Sequence, residues 1–446
     1  MLKHIALTIF FLAYAGVTHA FEGTIDYYVA THGNDNNNGR TVNKPFKTIQ
    51  KAADLVEAGG TVFIMGGEYN ESIDIKHSGQ KGKLISFKPY DTQAVTINGK
   101  HTEPSNKYTY GLINIDEKHY ISIFGLNIKN SSKAGIYVTK STDIDIMGNY
   151  TLETFSSGIG VWYSERIKVG HNEVELACHG GQEESISIAD TKHAEIFYNE
   201  VYSNGKNEGE DTLGGEGIDI KDGSQFINVH HNIVHDLINR TGIYIDAWAN
   251  ETGSIKVHHN TVYNCKNAGM AVATERGGSL TNVSIYNNII YKNTDAGILL
   301  GGWISHIEGE NDPVATPVAG VRIFNNTIYG NSEQCIYIDN KDIKDVTIRN
   351  NICSNDLQQE IGFNDLIDIS ELKIDHNIFH RQEIGNSTKI HHNLSSNPLL
   401  FAPEDDEFYL QENSPAINSG NRIKAPELDF EGARWGDNIE IGAYSW

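Results

Sequence analysis

A short apolar strand closed by asparagine recurs along this chain, and no other feature limits the fold as tightly. It reads IKVGHN, EIFYN, INVHHN, IKVHHN, VSIYNN, VRIFNN, VTIRNN and LKIDHN, which places Asn172, Asn199, Asn232, Asn260, Asn288, Asn326, Asn351 and Asn377 in register. The steps fall mostly in the middle to upper twenties of residues, with longer ones where loops are inserted. A second element follows each first one: AGIYV, SGIGV, EGIDI, TGIYI, AGMAV, AGILL and QCIYI. Both alternate apolar with variable residues, the period of a strand with one buried face. A unit of short strands without a helix cannot bury that face alone, so successive units must stack into a solenoid. The fold class read from this is all-β, a single-stranded right-handed parallel β-helix of roughly ten to twelve coils. The repeated Asn is read as scaffold, because its amide both donates and accepts and so can form a ladder from coil to coil.

The ends break the pattern. Residues 1–20 read as a signal peptide with Lys3 ahead of an apolar run and cleavage near Ala20, so a secreted, periplasmic or extracellular location is expected. The apolar run is too short for a membrane span. Residues 21–60 form an expected N-terminal cap, in which Phe46, Ile49, Ala52, Ala53 and Val56 at helical spacing predict a capping helix over Lys47 to Glu57. Residues 61–396 are the β-helix, and 397–446 an irregular C-terminal cap. The net charge of −23 argues against nucleic acid and anionic membranes as partners. Four cysteines, Cys178, Cys265, Cys335 and Cys353, are too few to be the framework of an exported chain this long, and their pairing stays open.

Residues 27–69, YYVATHGNDNNNGRTVNKPFKTIQKAADLVEAGGTVFIMGGEY, resemble the opening of secreted β-helix carbohydrate-active enzymes similar to pectate lyase family 9, and the tail from NPLLF to DNIEIGAYSW is similar to the ending of many such proteins. The resemblance implies an extracellular polysaccharide or oligosaccharide as partner, met by a monomer, and calcium as cofactor. In GEGIDIKDG, Glu216 stands where the family carries a calcium-binding Asp. In the next coil, NRTGIYIDAW, Arg240 and Thr241 stand where an acidic pair is expected.

Aligning the second strand of each coil on its glycine gives a surface map. The first and third residues after Gly point inward and those between point outward. The outward set is Asp219 and Lys221, then Tyr244, Asp246 and Trp248, then Ala271, Ala273 and Glu275, then Leu299, Gly301 and Trp303. Asp219, Asp246 and Glu275 therefore form a diagonal, with carboxylates on the order of 5 to 9 Å apart, the range of paired acids in glycoside cleavage. Small Ala271, Ala273 and Gly301 predict a depression. Tyr244, Trp248, Trp303, Trp162 and Arg276 are candidate substrate-binding residues, with loops Ser203–Gly215 and Trp303–Ala319 as walls. His230, His258 and Tyr286 align as a surface stack.

Two enzymatic readings share these residues. A polysaccharide lyase would use Lys221 as the base at C5 of a uronate, with Glu216, Asp219 and Asp246 holding calcium. A glycoside hydrolase would use Asp246 with Asp219 or Glu275 and no metal. A non-catalytic glycan-binding protein ranks third. The family resemblance puts the lyase first.

Overall fold

The computed structural model describes residues 25–100, 111–181, 183–205, 214–303, 316–383 and 387–446. Their strands form three parallel sheets of 16, 11 and 12 strands, to each of which a typical coil contributes one strand. A representative coil runs from Gln225–His230 in the first sheet through Ile233–His235 in the third to Ile243–Ala247 in the second. This is the all-β parallel solenoid, of about eleven turns, expected from the repeat.

Like residues stack on like along the interior. In the second sheet one inward column runs Ile113, Ile136, Ile159, Ile186, Ile218, Ile243, Met270, Ile298, Ile336 and Ile361. Each side chain is at most 1% exposed, so each contributes about 1.5–3 kcal/mol of burial.

The turn between the first and third sheets explains the Asn repeat. The residue before each ladder Asn adopts a left-handed conformation, as at Tyr198, His231, His259 and Asn325, with φ of 51°, 55°, 55° and 51°. This bends the chain sharply and turns the next amide into the interior. There Asn260 Oδ1 accepts from the backbone N–H and the Nδ2 of Asn232, both at 3.0 Å. Its Nδ2 donates at 3.0 Å to Val229 O and to Asn288 Oδ1. The same pattern passes from Asn149 to Asn393, one coil beyond the repeat at either end.

Some expectations change. The helix predicted over Lys47 to Glu57 shortens to Ile49–Ala53, because Asp54 caps it with its backbone N–H and Leu55 and Val56 close a turn. Phe46, Ile49, Ala52, Ala53 and Val56 are nonetheless buried as the spacing requires. Cys335 and Cys353, on neighbouring coils, form a disulfide, while Cys178 and Cys265 are buried free thiols. The segment after Asn397 carries an antiparallel pair, Leu400–Ala402 with Glu407–Leu410, and lays Leu400, Phe408, Ile441 and Tyr444 along the flank of the coils against Ile289, Tyr291, Tyr329 and Ile352. No helix among the described residues is long and apolar enough to cross a membrane. The signal-peptide residues, the core of the loop after Ser203 and that of the loop after Trp303 lie outside the described residues.

Candidate active site

The residues singled out in the sequence lie on the outer face of the second sheet. Its strands begin close-packed: a Cβ on Gly217 would lie 2.4 Å from Val234 Cγ1 and 2.5 Å from Gly242 O, so the position admits only glycine without a shift. The register agrees with the surface map. Asp219 lies beside Ser187 and Tyr244, Asp246 beside Ala273, and Glu275 beside Trp303. Asp219, Asp246 and Glu275 thus occupy successive coils, each two residues further along its strand, or about 8 Å between neighbouring Cα positions.

The environment differs from an open groove face. Asp219 and Asp246 point outward from the sheet yet are 2% and 5% exposed. Burial, with the charge of Glu184 next, pushes the Asp219 carboxyl well above the usual carboxylate range, and burial followed by Glu275 does the same for Asp246. Burial and Glu184 push Glu216 up to about 7 despite Arg240, whose Nε stands 3.8 Å from Glu216 Oε1. Glu216 Oε2, Asp219 Oδ1 and Asp246 Oδ1 are buried without a hydrogen-bond partner among the described residues. Such atoms cost about 1–3 kcal/mol each, so their retention needs a reason.

Besides Arg240, Lys221 is a cation among them. Its Nζ donates to Glu184 Oε1 at 2.6 Å, lies 3.7 Å from Glu183 Oε2, and sits 5.7 Å from the centre of the Trp162 ring. Burial alone would lower its pKa, but Glu184, Asp219 and Glu183 together outweigh this and raise it. Lys221 is held protonated, which is the wrong state for the base at C5. Glu184 also accepts from Ser187 Oγ at 2.7 Å, and Ser187 Oγ receives the Trp162 indole N–H at 3.3 Å.

On the other side of Asp246, Tyr244 donates its hydroxyl to Glu275 Oε1 at 3.1 Å. Burial raises the Glu275 pKa, while this hydrogen bond and the charge of Arg276 oppose the rise. Arg276 also stacks over Trp248, 4.3 Å from the ring centre, and Trp248 stays 41% exposed. The expected depression at Ala271 and Ala273 is filled: both are buried in a cluster with Tyr244, with Leu299 packed against it. The Trp303 backbone pairs with Glu275, and its side chain lies outside the described residues. The open space lies towards the N-terminal coils. There a cavity of about 820 Å³ is lined by Asn114, Lys118, Lys133, Tyr137, Trp162 and Glu183, among others.

The chain matches two families, described as Pel9A-like, right handed beta helix region, over residues 27–174, and Right handed beta helix region, over residues 110–279. It is 26% identical over 128 residues to pectate lyase PEL9 of Emericella nidulans, covering 26% of this chain and 31% of that one. Together the two family matches cover residues 27–279, so more than half of the chain is similar to right-handed β-helix regions. An uncharacterized protein of Bacillus subtilis, YwoF, is 41% identical over 138 residues, 29% of each chain. The matches thus span less than a third of the length of these two relatives. Among solved structures, pectate lyase Pel9A superposes with a TM-score of 0.55 at 15% identity, over 94% of this chain and 96% of that one. XylC in complex with xylose gives 0.53 at 12%, over 94% and 98%. Likeness at that identity establishes the shared β-helix fold.

Within this β-helix the three expected calcium ligands do not form a close cluster of donor atoms. The orphaned oxygens of Glu216, Asp219 and Asp246 are hard donors of the right type. However, among the described residues only His376, His391 and His392 bring three ligand atoms within 4.8 Å of one another, so a cation at these acids would need their side chains to draw together. Lys221 already supplies the positive charge they share.

Sequence reading missed Glu183 and Glu184. Their coil reads EESISIAD, with Ser185 at the position where neighbouring coils carry Gly217 and Gly242, so an alignment anchored on glycine stepped over it. The signal was present in the inward Ile186 and Ile188, which pair with Ile218 and Ile220.

Proposed function

We propose that this chain is a carbohydrate-active enzyme that cleaves glycosidic bonds of a polysaccharide by hydrolysis, with Asp246 as general acid and Glu275 as the partner carboxylate. The observation that carries this reading is the contrast between the two acids. Asp246 is buried, has an unpartnered oxygen and is kept protonated. Glu275, half-buried, receives a hydroxyl proton from Tyr244 and the field of Arg276, both of which favour its ionised form. Burial raises both carboxyls, Asp246 well above the usual range and Glu275 against the opposing pull of Tyr244 and Arg276, a contrast that lets two acids divide acid and base work between them. Asp246 would protonate the leaving oxygen while Glu275 activates water or attacks the sugar. Trp248, backed by Arg276, offers one flat face to a sugar ring, and the cavity beside Trp162 accommodates the chain beyond the cleavage point.

A lyase reading is favoured by the partial match to pectate lyase PEL9. It would require Lys221 to release a proton against Glu183, Glu184 and Asp219. Incubation with neutral and uronate-containing polysaccharides separates the two, if reducing ends and the ultraviolet absorbance of unsaturated uronates are followed together. Reducing ends without that absorbance are expected; reducing ends with it would replace the hydrolase by the lyase. Neither signal on a broad panel would sink both.

A further inference from the structure

We infer that the last two coils of the solenoid carry a site for a divalent transition metal, zinc by its chemistry, formed by His376, His391 and His392. One ring nitrogen of each lies within 4.8 Å of the others. The register explains the meeting: Asp375 pairs with His391, so the turn residue after each strand, His376 and then His392, occupies the same left-handed position, φ 56° in both. Their rings stack at 5.0 Å.

Paired histidines also occur in the scaffold, and those show what is different here. In HHN turns the two rings meet through Nδ1 atoms, at 2.8 Å for His230 and His231, 2.7 Å for His258 and His259, and 2.7 Å for His391 and His392. In the first two pairs other nitrogens are engaged by protein groups. His230 Nε2 meets Glu195 at 3.0 Å, His258 Nε2 meets Asn228 at 2.8 Å, and His259 Nε2 meets Asp429 O at 2.7 Å. At the last coils, among the described residues, the hydrogen bonds of the three rings leave the Nε2 atoms open.

The third histidine is also oriented as a ligand should be. His376 Nδ1 bonds Asp375 Oδ1 at 2.8 Å, and Arg349 holds that carboxylate at 2.7 and 2.8 Å. A carboxylate on one ring nitrogen fixes the tautomer and leaves the other, Nε2, as the metal donor. Three imidazoles suit zinc, nickel or copper and not calcium or magnesium. Zinc–nitrogen bonds of about 2.1 Å place tetrahedral ligands about 3.4 Å apart, so the stacked rings of His376 and His392 would have to turn towards each other to close on one ion. His392 is exposed, so solvent could supply a fourth ligand. Because the ligands come from two coils and meet only in the folded chain, the metal would tie the end of the solenoid together.

The test uses the untagged full-length chain, stripped with chelator and titrated with zinc chloride by calorimetry and thermal melting. One zinc per chain and a raised Tm are expected. His376→Gln and His392→Gln should each weaken binding at least about tenfold. His258→Gln should leave it unchanged, and calcium should give neither heat nor a Tm shift at this site. Far-UV circular dichroism of each zinc-free variant confirms folding, and exposed His392 gives a variant that keeps the test open if His376→Gln does not fold. No zinc bound, binding that survives both substitutions, or equal loss in His258→Gln would overturn the site.

Discussion

Two sets of buried polar side chains in the solenoid are treated oppositely. Along the first turn, amides from Asn149 to Asn377 are buried, and each passes its hydrogen bonds to the next. On the second sheet Glu216, Asp219 and Asp246 are just as buried, yet each leaves an oxygen unpartnered. The first arrangement repeats because stacking itself satisfies it: every new coil brings the donor and acceptor that the previous one lacks. The second cannot be satisfied by stacking, since carboxylates beside carboxylates repel, and one lysine is shared among several. Polar residues that repeat and pair therefore maintain the fold, and the acids of the second sheet, buried without such pairing, are the candidates for a cost tolerated for chemistry.

The sharpest way to break that comparison is Asp246→Asn. The amide keeps the shape and burial but cannot deliver a proton to a leaving group. Turnover on whichever polysaccharide proves to be the substrate should fall at least about a hundredfold, or about 2.7 kcal/mol of barrier. The Tm at neutral pH should hold or rise, because a buried acid with an unmet oxygen is removed. Retained turnover with an unchanged Tm would put the reacting groups elsewhere.

Asn260→Ala should do the reverse. It strips the acceptor from the Asn232 backbone N–H and the donor from Val229 O in a place closed to water. Leaving such groups unpaired costs about 2 kcal/mol. Urea unfolding should show that loss, with kcat unchanged wherever the variant is folded. A loss of turnover without a loss of stability would mean that the ladder is not purely scaffold.

The two regions also differ in how far they were legible beforehand. The Asn ladder, the inward isoleucine column and the register of Asp219, Asp246 and Glu275 could all be read off the chain, because a repeat carries its own alignment. The same map read Asp219 and Asp246 as an outward face beside a depression. It could not show their burial, which depends on neighbours of no fixed spacing, such as Glu184 two residues ahead of its strand. Nor could it show that Tyr244 and Leu299 close over Ala271 and Ala273, or that Lys221 is pinned by Glu183 and Glu184. Direction follows from period, whereas protonation follows from packing.

The smallest effect tests that packing through pH. Burial and Glu184 raise the Glu216 carboxyl in the folded chain to about 7, against an unfolded value of about 4.3. Between those values the folded state binds the extra proton, so this group's contribution to stability is full on the acid side and is lost as pH rises through about 7. Other carboxylates act in the opposite sense, Asp375 among them, whose pKa its partners Arg349 and His376 hold down against burial. The measurement is therefore a difference between chains. Glu216→Gln minus wild type should be near zero at pH 4 and should grow to a gain on the order of 1 kcal/mol by pH 8, modest because Arg240 loses its anionic neighbour. A difference that is flat across that range would show that Glu216 is ionised throughout, and with it that the acid cluster is better solvated than its burial implies.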